Sequence, residues 1–329
     1  MLMLRYRALL ERRLGGEPCP ITPVLLWRHH PIADQDGAGL ARATLDFQSR
    51  FDCDLIKISP ASSYQLPDYG LRDSWRGDPI GRREVTATVI RRPDDWLALP
   101  LLNPQGGFVA RFGECVRMVR GKTPAEVPVI ITVFDPVFQA VTLAGHELLR
   151  AHLTQTPDAV VAGLNRITEN TVALISHFVG QGADGIFLAS QHATMNDFPH
   201  QVFARYGMPG LRACVEAMNG SIYNMLHVHG AGIHDDLFAA LTGLTVHYDM
   251  WADNPPPTRF LDAGCAVATG PSQGQLACPV TADDVTAACT ALLELGGRTI
   301  LAPGCSIPLA VGADQMRLMS TLARSECWN

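Results

Sequence analysis

Ser221-Ile222-Tyr223-Asn224-Met225-Leu226-His227-Val228-His229-Gly230 is the stretch on which the reading of this chain turns. It is a short apolar run that ends in polar, chemistry-bearing side chains at a glycine. The same unit recurs along the sequence: an apolar, often β-branched run, a turn, then a helical stretch. Eight such runs are present: Val24–His30, Asp54–Pro60, Val127–Phe134, Gly185–Ser190, Ser221–Gly230, Leu244–Trp251, Ala266–Pro271 and Thr299–Gly304. Most are apolar without alternation, the signature of parallel strands covered on both faces. Helical patterns lie between the later ones, at Asp158–Phe178, Phe198–Met218, His234–Leu241 and Thr281–Leu295. Thr281 with Asp283 and Asp284 supplies an N-cap and an acidic first turn. Strands alternating with helices imply right-handed βαβ units. Eight units in about 300 residues imply an α/β fold, a single (β/α)8 TIM barrel.

Two features refine that architecture. No GxGxxG follows the first run, which argues against an open dinucleotide-binding sheet. Residues 62–124 break the rhythm with Pro, Gly, Arg and Trp, and read as a long excursion after the second strand, a flap near the barrel mouth. Within it Glu84–Ile90 is expected to hold one short strand and Asp94-Asp95-Trp96-Leu97 the start of a short helix.

Composition narrows the function classes. The 329 residues include 26 Lys+Arg and 32 Asp+Glu, a formal net charge of −6 with 47% apolar residues. Such a chain can bury a large core, and it carries no global positive field for nucleic acid. No run of 18 or more apolar residues is present, so no membrane span is expected. The opening Met1–Leu14 interleaves charge with leucine at helical spacing, unlike a signal peptide. The nine cysteines, at 19, 53, 115, 214, 265, 278, 289, 305 and 327, are dispersed without a CxxC pair. This favours a reduced, cytoplasmic protein over a disulfide framework.

In a barrel the chemistry gathers at the carboxyl ends of the strands. There the sequence places Arg28-His29-His30, Ser59-Pro60, Asp135, Ser190-Gln191-His192, His227-Val228-His229, Asp249 and Cys305. Residues i and i+2 of a strand face the same side, so His227 and His229 can converge on one point. Neutral imidazoles suit zinc, Cys305 can add a thiolate, and three ligands leave a fourth position open. The plainer alternative is a pair of hydrogen-bonded histidines and a small buried cysteine. Arg28, His29 and His30 fit either a polar substrate group or internal pairing. Asp54 opens its run and should lie at the opposite end of the barrel, in a structural role.

Taken together, Phe51-Asp-Cys-Asp54-Leu-Ile-Lys57, Asp68-Tyr69-Gly70, Gly182-Ala-Asp184-Gly-Ile-Phe187, Leu226–Gly230 and Gly296-Gly297 followed by Ile300–Cys305 resemble the uroporphyrinogen decarboxylase superfamily. Their order and spacing span about residues 20 to 325. The resemblance implies a (β/α)8 barrel and one of two chemistries. One is cofactor-free removal of acetate carboxyls from a tetrapyrrole. The other is methyl transfer from a corrinoid to a zinc-activated thiol. The decarboxylases carry two arginines after the first strand, where this chain reads Arg28-His29-His30-Pro31-Ile32. They carry an aspartate closing the second strand, where it reads Ser59-Pro60-Ala61. One placed arginine leaves a polycarboxylate without charge compensation. The methyltransferase branch carries His-x-Cys and a later Cys, matched here by His227-x-His229 and Cys305 with one Cys-to-His exchange.

The resemblance therefore implies zinc held by His227, His229 and Cys305. The substrate pocket would be shaped by Arg28, His29, His30 and Ser190, with Asp249 an outer carboxylate for an imidazole. A small-molecule substrate is expected, with a corrinoid carried by a partner protein, and a homodimer as in related decarboxylases. The rival readings are a cofactor-free decarboxylase of a tetrapyrrole or smaller acid, a metal-dependent hydrolase, and a barrel that only binds a ligand.

Overall fold

A computed structural model describes residues 5–277 and 281–325. Cys278 and Cys327, like Met1–Leu4 of the opening helical pattern, lie outside the described residues. The described chain contains nine strands: β1 (Ile56–Ile58), β2 (Arg72–Ser74), β3 (Glu84–Ala87), β4 (Val129–Phe134), β5 (Gly185–Ser190), β6 (Met225–Val228), β7 (Thr245–His247), β8 (Ala266–Thr269) and β9 (Thr299–Leu301). Seven of them form one parallel, curled sheet in the order β1-β4-β5-β6-β7-β8-β9. Every residue of these seven strands is buried, which explains their unbroken apolar character.

The sheet thus has seven strands where the sequence reading expected eight. The first run, Val24–His30, makes a single parallel bridge, Val24 to Leu301. The cause is local. Pro23 has no N–H to donate, although its carbonyl accepts from Leu301 N–H at 2.9 Å. The Val24 N–H goes to the Asp54 side chain at 3.0 Å instead of a neighbouring backbone. Beyond Leu25 the ladder ends, and the Trp27 carbonyl instead accepts from Ile307 N–H at 3.0 Å. The excursion consequently follows the first strand of the sheet, β1.

Helices cover the outer face. The longest, Pro157–Gly180, starts with proline at its first turn and buries Val160, Leu164, Ile167, Leu174, Ile175 and Phe178 on one face. The expected Thr281 cap is present, with Asp284 completing a reciprocal capping box before Ala282–Leu293. The pattern over 198–218 does not form one helix. It divides into His200–Val202, a wide π-helical turn at Phe203–Gly207, and Met208–Ala217. Pro209 lacks the N–H that a regular ladder needs at that point, so the turn widens ahead of it.

Within residues 62–124, β2 and β3 form an antiparallel hairpin and Pro93–Leu97 a short helix. Helix Ala110–Lys122 buries Phe112, Cys115, Val116 and Val119 and joins the outer layer beside helix Gly37–Phe51. Asp68 anchors this region by accepting the N–H groups of Phe108 and Val109 at 2.7 and 3.0 Å. Among the described residues no helix is long and apolar enough to cross a membrane.

Candidate functional site

The register of the sheet builds the site. His227 on β6 is paired with His247 on β7, so two imidazoles stand side by side at the same level, both buried. Two residues beyond His227, past the end of β6, stands His229, whose N–H donates to the Ser190 carbonyl at 3.0 Å. Cys305 arrives from the loop after β9. That loop is fixed by Gly304 N–H donating to the Pro271 carbonyl at 2.8 Å. Gly304 also has no room for a side chain: a Cβ there would lie 2.8 Å from Cγ of Asp249.

His227, His229 and Cys305 each offer a ligand atom, and the three atoms lie within 4.8 Å of one another. The Cys305 sulfur is 3.5 Å from Nδ1 of His229 and 3.9 Å from Nε2 of His227. Nitrogen and sulfur sharing one tetrahedral zinc sit about 3.5 Å apart, given Zn–N near 2.05 Å and Zn–S near 2.3 Å. The residues present therefore fit zinc in spacing and in donor type.

Protonation follows from the hydrogen bonds. His247 Nε2 lies 2.8 Å from the Pro303 carbonyl, which can only accept, so that nitrogen carries the proton. Burial holds the His247 ring neutral, its pKa lowered to about 3, so its Nδ1 is an acceptor. His227 Nδ1, 2.7 Å away, must then donate to it. The remaining nitrogen of His227, Nε2, is left with a lone pair directed toward Cys305. Burial, reinforced by the charges of His247, His229 and Lys57, also keeps His227 neutral. The relay fixes the tautomer that a metal ligand requires.

His229 is arranged differently. An Arg82 guanidinium N–H lies 3.2 Å from Nε2 of His229, and arginine can only donate. Nδ1 then carries the proton toward Cys305. Burial pushes the Cys305 thiol up, but the hydrogen bond and charge of His229, with help from the Ser306 backbone and Arg82, bring it below its ordinary value. A metal at Nδ1 requires that proton to move to Nε2 and Arg82 to turn away. By contrast, burial raises the Cys53 thiol to about 12.

The other residues singled out from the sequence are spread around this centre. Ser190, fully buried, donates to Asp135 at 2.5 Å and so supports the site from below. Asp249 accepts Trp251 N–H at 2.9 Å, and no imidazole hydrogen-bonds to it. The outer partner of His227 is His247, which the sequence reading missed. Arg28 and His30 line a separate crevice with Thr44, Phe47 and Gln48. Burial, then the neighbouring cations, lowers the His29 pKa to about 3, and its Nδ1 is buried without a hydrogen-bond partner. The hairpin turn closes over His29 at Gly81, whose φ is +84° and whose added Cβ would lie 2.6 Å from Cβ of His29.

Arg82 and Arg83, from that hairpin, line an open cleft of about 470 Å³ together with His192, Asp197, His229 and Gly230. Arg83 is paired with Asp73 at 2.6 Å, whereas Arg82 is directed at His229. No sequence signal marked Arg82, because only the folded hairpin brings it to the strand ends.

A family model described as uroporphyrinogen decarboxylase (URO-D) matches residues 28–325. The chain belongs to the uroporphyrinogen decarboxylase family. Its fold is similar to that of a methyltransferase from Methanosarcina mazei, with 18% identity and a TM-score of 0.85 over 96% of this chain and 97% of that one. It is also similar to a B12-independent methionine synthase from Shewanella sp. W3-18-1, with 14% identity and a TM-score of 0.60 over 99% and 97% of the two chains. A third similar structure is a putative vitamin-B12 independent methionine synthase from Listeria monocytogenes, at 11% identity and a TM-score of 0.53 over 95% and 98%. No curated protein matched the sequence. The family assignment accords with the resemblance drawn from the strand-end motifs, and the family is one of enzymes.

Proposed function

We propose that this family member is a zinc-dependent methyltransferase that passes a methyl group from a methyl-corrinoid, or a similar donor, to a thiol-type acceptor. The observation that carries the reading is the convergence of His227 Nε2, His229 Nδ1 and Cys305 Sγ within 4.8 Å at the strand ends. Those three residues would hold the metal. Bound there, zinc supplies a Lewis acid that lowers the pKa of an acceptor thiol and keeps it as thiolate at neutral pH.

The rest belongs to the protein. His247 holds His227 in the ligating tautomer through the Pro303 carbonyl. Ser190 and Asp135 brace the strand end that supports His229. Arg82, displaced from His229 when Nδ1 becomes a ligand, is free to pair with an anionic group in the cleft. The hairpin acts as the flap over this cleft. The segment around Val24 acts as the eighth stave, since it bonds to Leu301 on one side and to Asp54 N–H on the other. The corrinoid would arrive on a partner protein, and the reaction would take place in the cytoplasm.

The test is the metal content of protein purified without a histidine tag, beside His229→Ala, together with methylation of simple thiols from methylcobalamin. Near-stoichiometric zinc and thiol methylation, both lost in the variant, are expected. A metal-free variant that retains full activity overturns the reading.

A second reading, a cofactor-free decarboxylase, is favoured by Arg82 in the cleft, a cation without a carboxylate salt bridge among the described residues, one that suits a carboxylic substrate. It requires turnover that is indifferent to zinc removal.

A further inference from the structure

A second group of side chains stands on the rim of the same cleft. His146 begins helix His146–Gln155, and His192 and Asp197 come from the segment after β5. Their ligand atoms also lie within 4.8 Å of one another, and all three residues are half-buried. Asp197 Oδ1 is hydrogen-bonded to Nδ1 of His192 at 3.2 Å and lies 3.3 Å from Nε2 of His146. Oxygen and nitrogen bound to one tetrahedral zinc are about 3.3 Å apart. A charge-assisted hydrogen bond between them would be nearer 2.8 Å. Nε2 of His146 is buried and makes no hydrogen bond, although Asp197 is adjacent. An orphaned, buried imidazole nitrogen that lies beside a carboxylate oxygen without hydrogen-bonding to it needs a partner, and an ion lying between them supplies one.

The surroundings hold this arrangement in place. Thr194 Oγ1 donates to the other Asp197 oxygen at 2.7 Å, which fixes the carboxylate. The Arg150 side chain donates to the Asn196 carbonyl at 3.0 Å and also to the Asp197 carbonyl, which fixes the segment. The His192 ring stacks on Phe138 with 5.9 Å between centroids, and the His146 ring on Phe198 with 5.0 Å. Both imidazoles are thereby pre-oriented by aromatic packing. His192 and Asp197 line the cleft, so a fourth coordination position would open toward the substrate side. The start of helix His146–Gln155 and Arg150 place positive potential nearby, and the Asp197 carboxylate offsets it.

We infer that His146, His192 and Asp197 form a second divalent-cation site, a His2Asp centre for zinc or a similar first-row ion, at the cleft that His229 also lines. It ties the segment after β5 to helix His146–Gln155 and presents an open position to an anionic group in the cleft. The site is independent of the metal reading proposed for His227, His229 and Cys305, and it contains no sulfur ligand.

The test is equilibrium dialysis of the metal-stripped full-length protein against zinc, with His192→Gln, Asp197→Asn, His229→Ala and the double variant His192→Gln/His229→Ala alongside. Each variant is checked for folding by its thermal melt. The expected stoichiometry is two zinc per chain for the parent, one for each folded single variant and none for the double variant. Cobalt in place of zinc should give a thiolate charge-transfer band that survives in His192→Gln and disappears in His229→Ala. A parent that binds one zinc, lost only in His229→Ala, overturns the second site and leaves these residues as a hydrogen-bonded clamp. Two zinc retained in both His192→Gln and Asp197→Asn does the same. One zinc lost in His192→Gln but kept in His229→Ala supports the second site and overturns the Cys305 centre instead.

Discussion

The two ends of the curled sheet treat charge in opposite ways. At the amino end, Asp54 is fully buried and accepts Arg5 Nε at 2.9 Å and Val24 N–H at 3.0 Å. Asp184 accepts Arg7 at 2.7 Å, Arg120 at 2.9 Å and Val129 N–H at 2.8 Å. Each carboxylate there is consumed by cations and backbone of its own fold. At the carboxyl end, Arg82, His229 and Cys305 touch one another in a row, at 3.2 and 3.5 Å, and Arg82 and His229 border an open cleft. Saturated pairing stabilises the sheet, whereas the cluster beside the cleft holds its thiol and imidazoles without a carboxylate hydrogen-bonded to them among the described residues.

The sharpest way to break that contrast is at the amino end. Asp54→Ala leaves the Arg5 guanidinium and the Val24 N–H without their buried acceptor. A loss of about 3–5 kcal/mol in urea unfolding is expected, with the zinc stoichiometry of the folded fraction unchanged. A variant that unfolds like the parent but loses metal would erase the distinction between the two ends.

His247→Ala sharpens it at the carboxyl end. The ring is not one of the three side chains proposed to hold the metal, yet without it His227 Nδ1 loses its acceptor and the proton is free to move to Nε2. Zinc affinity at the Cys305 centre should fall about 10–100-fold. His247→Gln, whose amide can take over one of the two hydrogen bonds, should recover part of it. Equal loss in both variants would reduce His247 to packing.

The smallest expected effect is in the pH dependence of thiol alkylation in metal-stripped protein. Cys305 titrates below the ordinary thiol value of 9.0 because His229 and Arg82 outweigh its burial. Its reaction with iodoacetamide should therefore reach half-maximum below that pH, and His229→Ala should move the midpoint upward. The folded thiol sits below its unfolded value, so the unfolded chain binds more protons in that window and stability rises with pH across it. A midpoint at or above the ordinary value would remove the electrostatic contrast.

Legibility in the sequence followed how local each cause was. Gly185–Ser190 was readable to the residue, because a fully buried parallel strand shows as an unbroken apolar run. The convergence of His227, His229 and Cys305 was readable because the two-residue repeat of a strand is geometric and the carboxyl ends of parallel strands gather polar side chains. The shortfall of one strand was not readable, since the Asp54 side chain takes an N–H that a ladder would otherwise use. His247 was hidden inside an apolar run, where nothing in the period distinguishes a relay from a packing residue. Arg82 was hidden because a turn at Gly81, fitted against His29, delivers it from the excursion. The cleft-rim cluster of His146, His192 and Asp197 joins residues from separate elements, and no spacing encodes that.

The carbonyl that holds His247 belongs to Pro303, two residues before Cys305. The imidazole on β6 is thus oriented by the same loop that delivers the thiol, and the two side chains form an interlock. A chain still emerging from the ribosome presents His227 without a fixed tautomer until its final strand has docked. Under the zinc reading proposed above, a half-made sheet would hold metal at this centre poorly, and capture there would coincide with docking of the last strand. The centre would act as a checkpoint on the completeness of the fold.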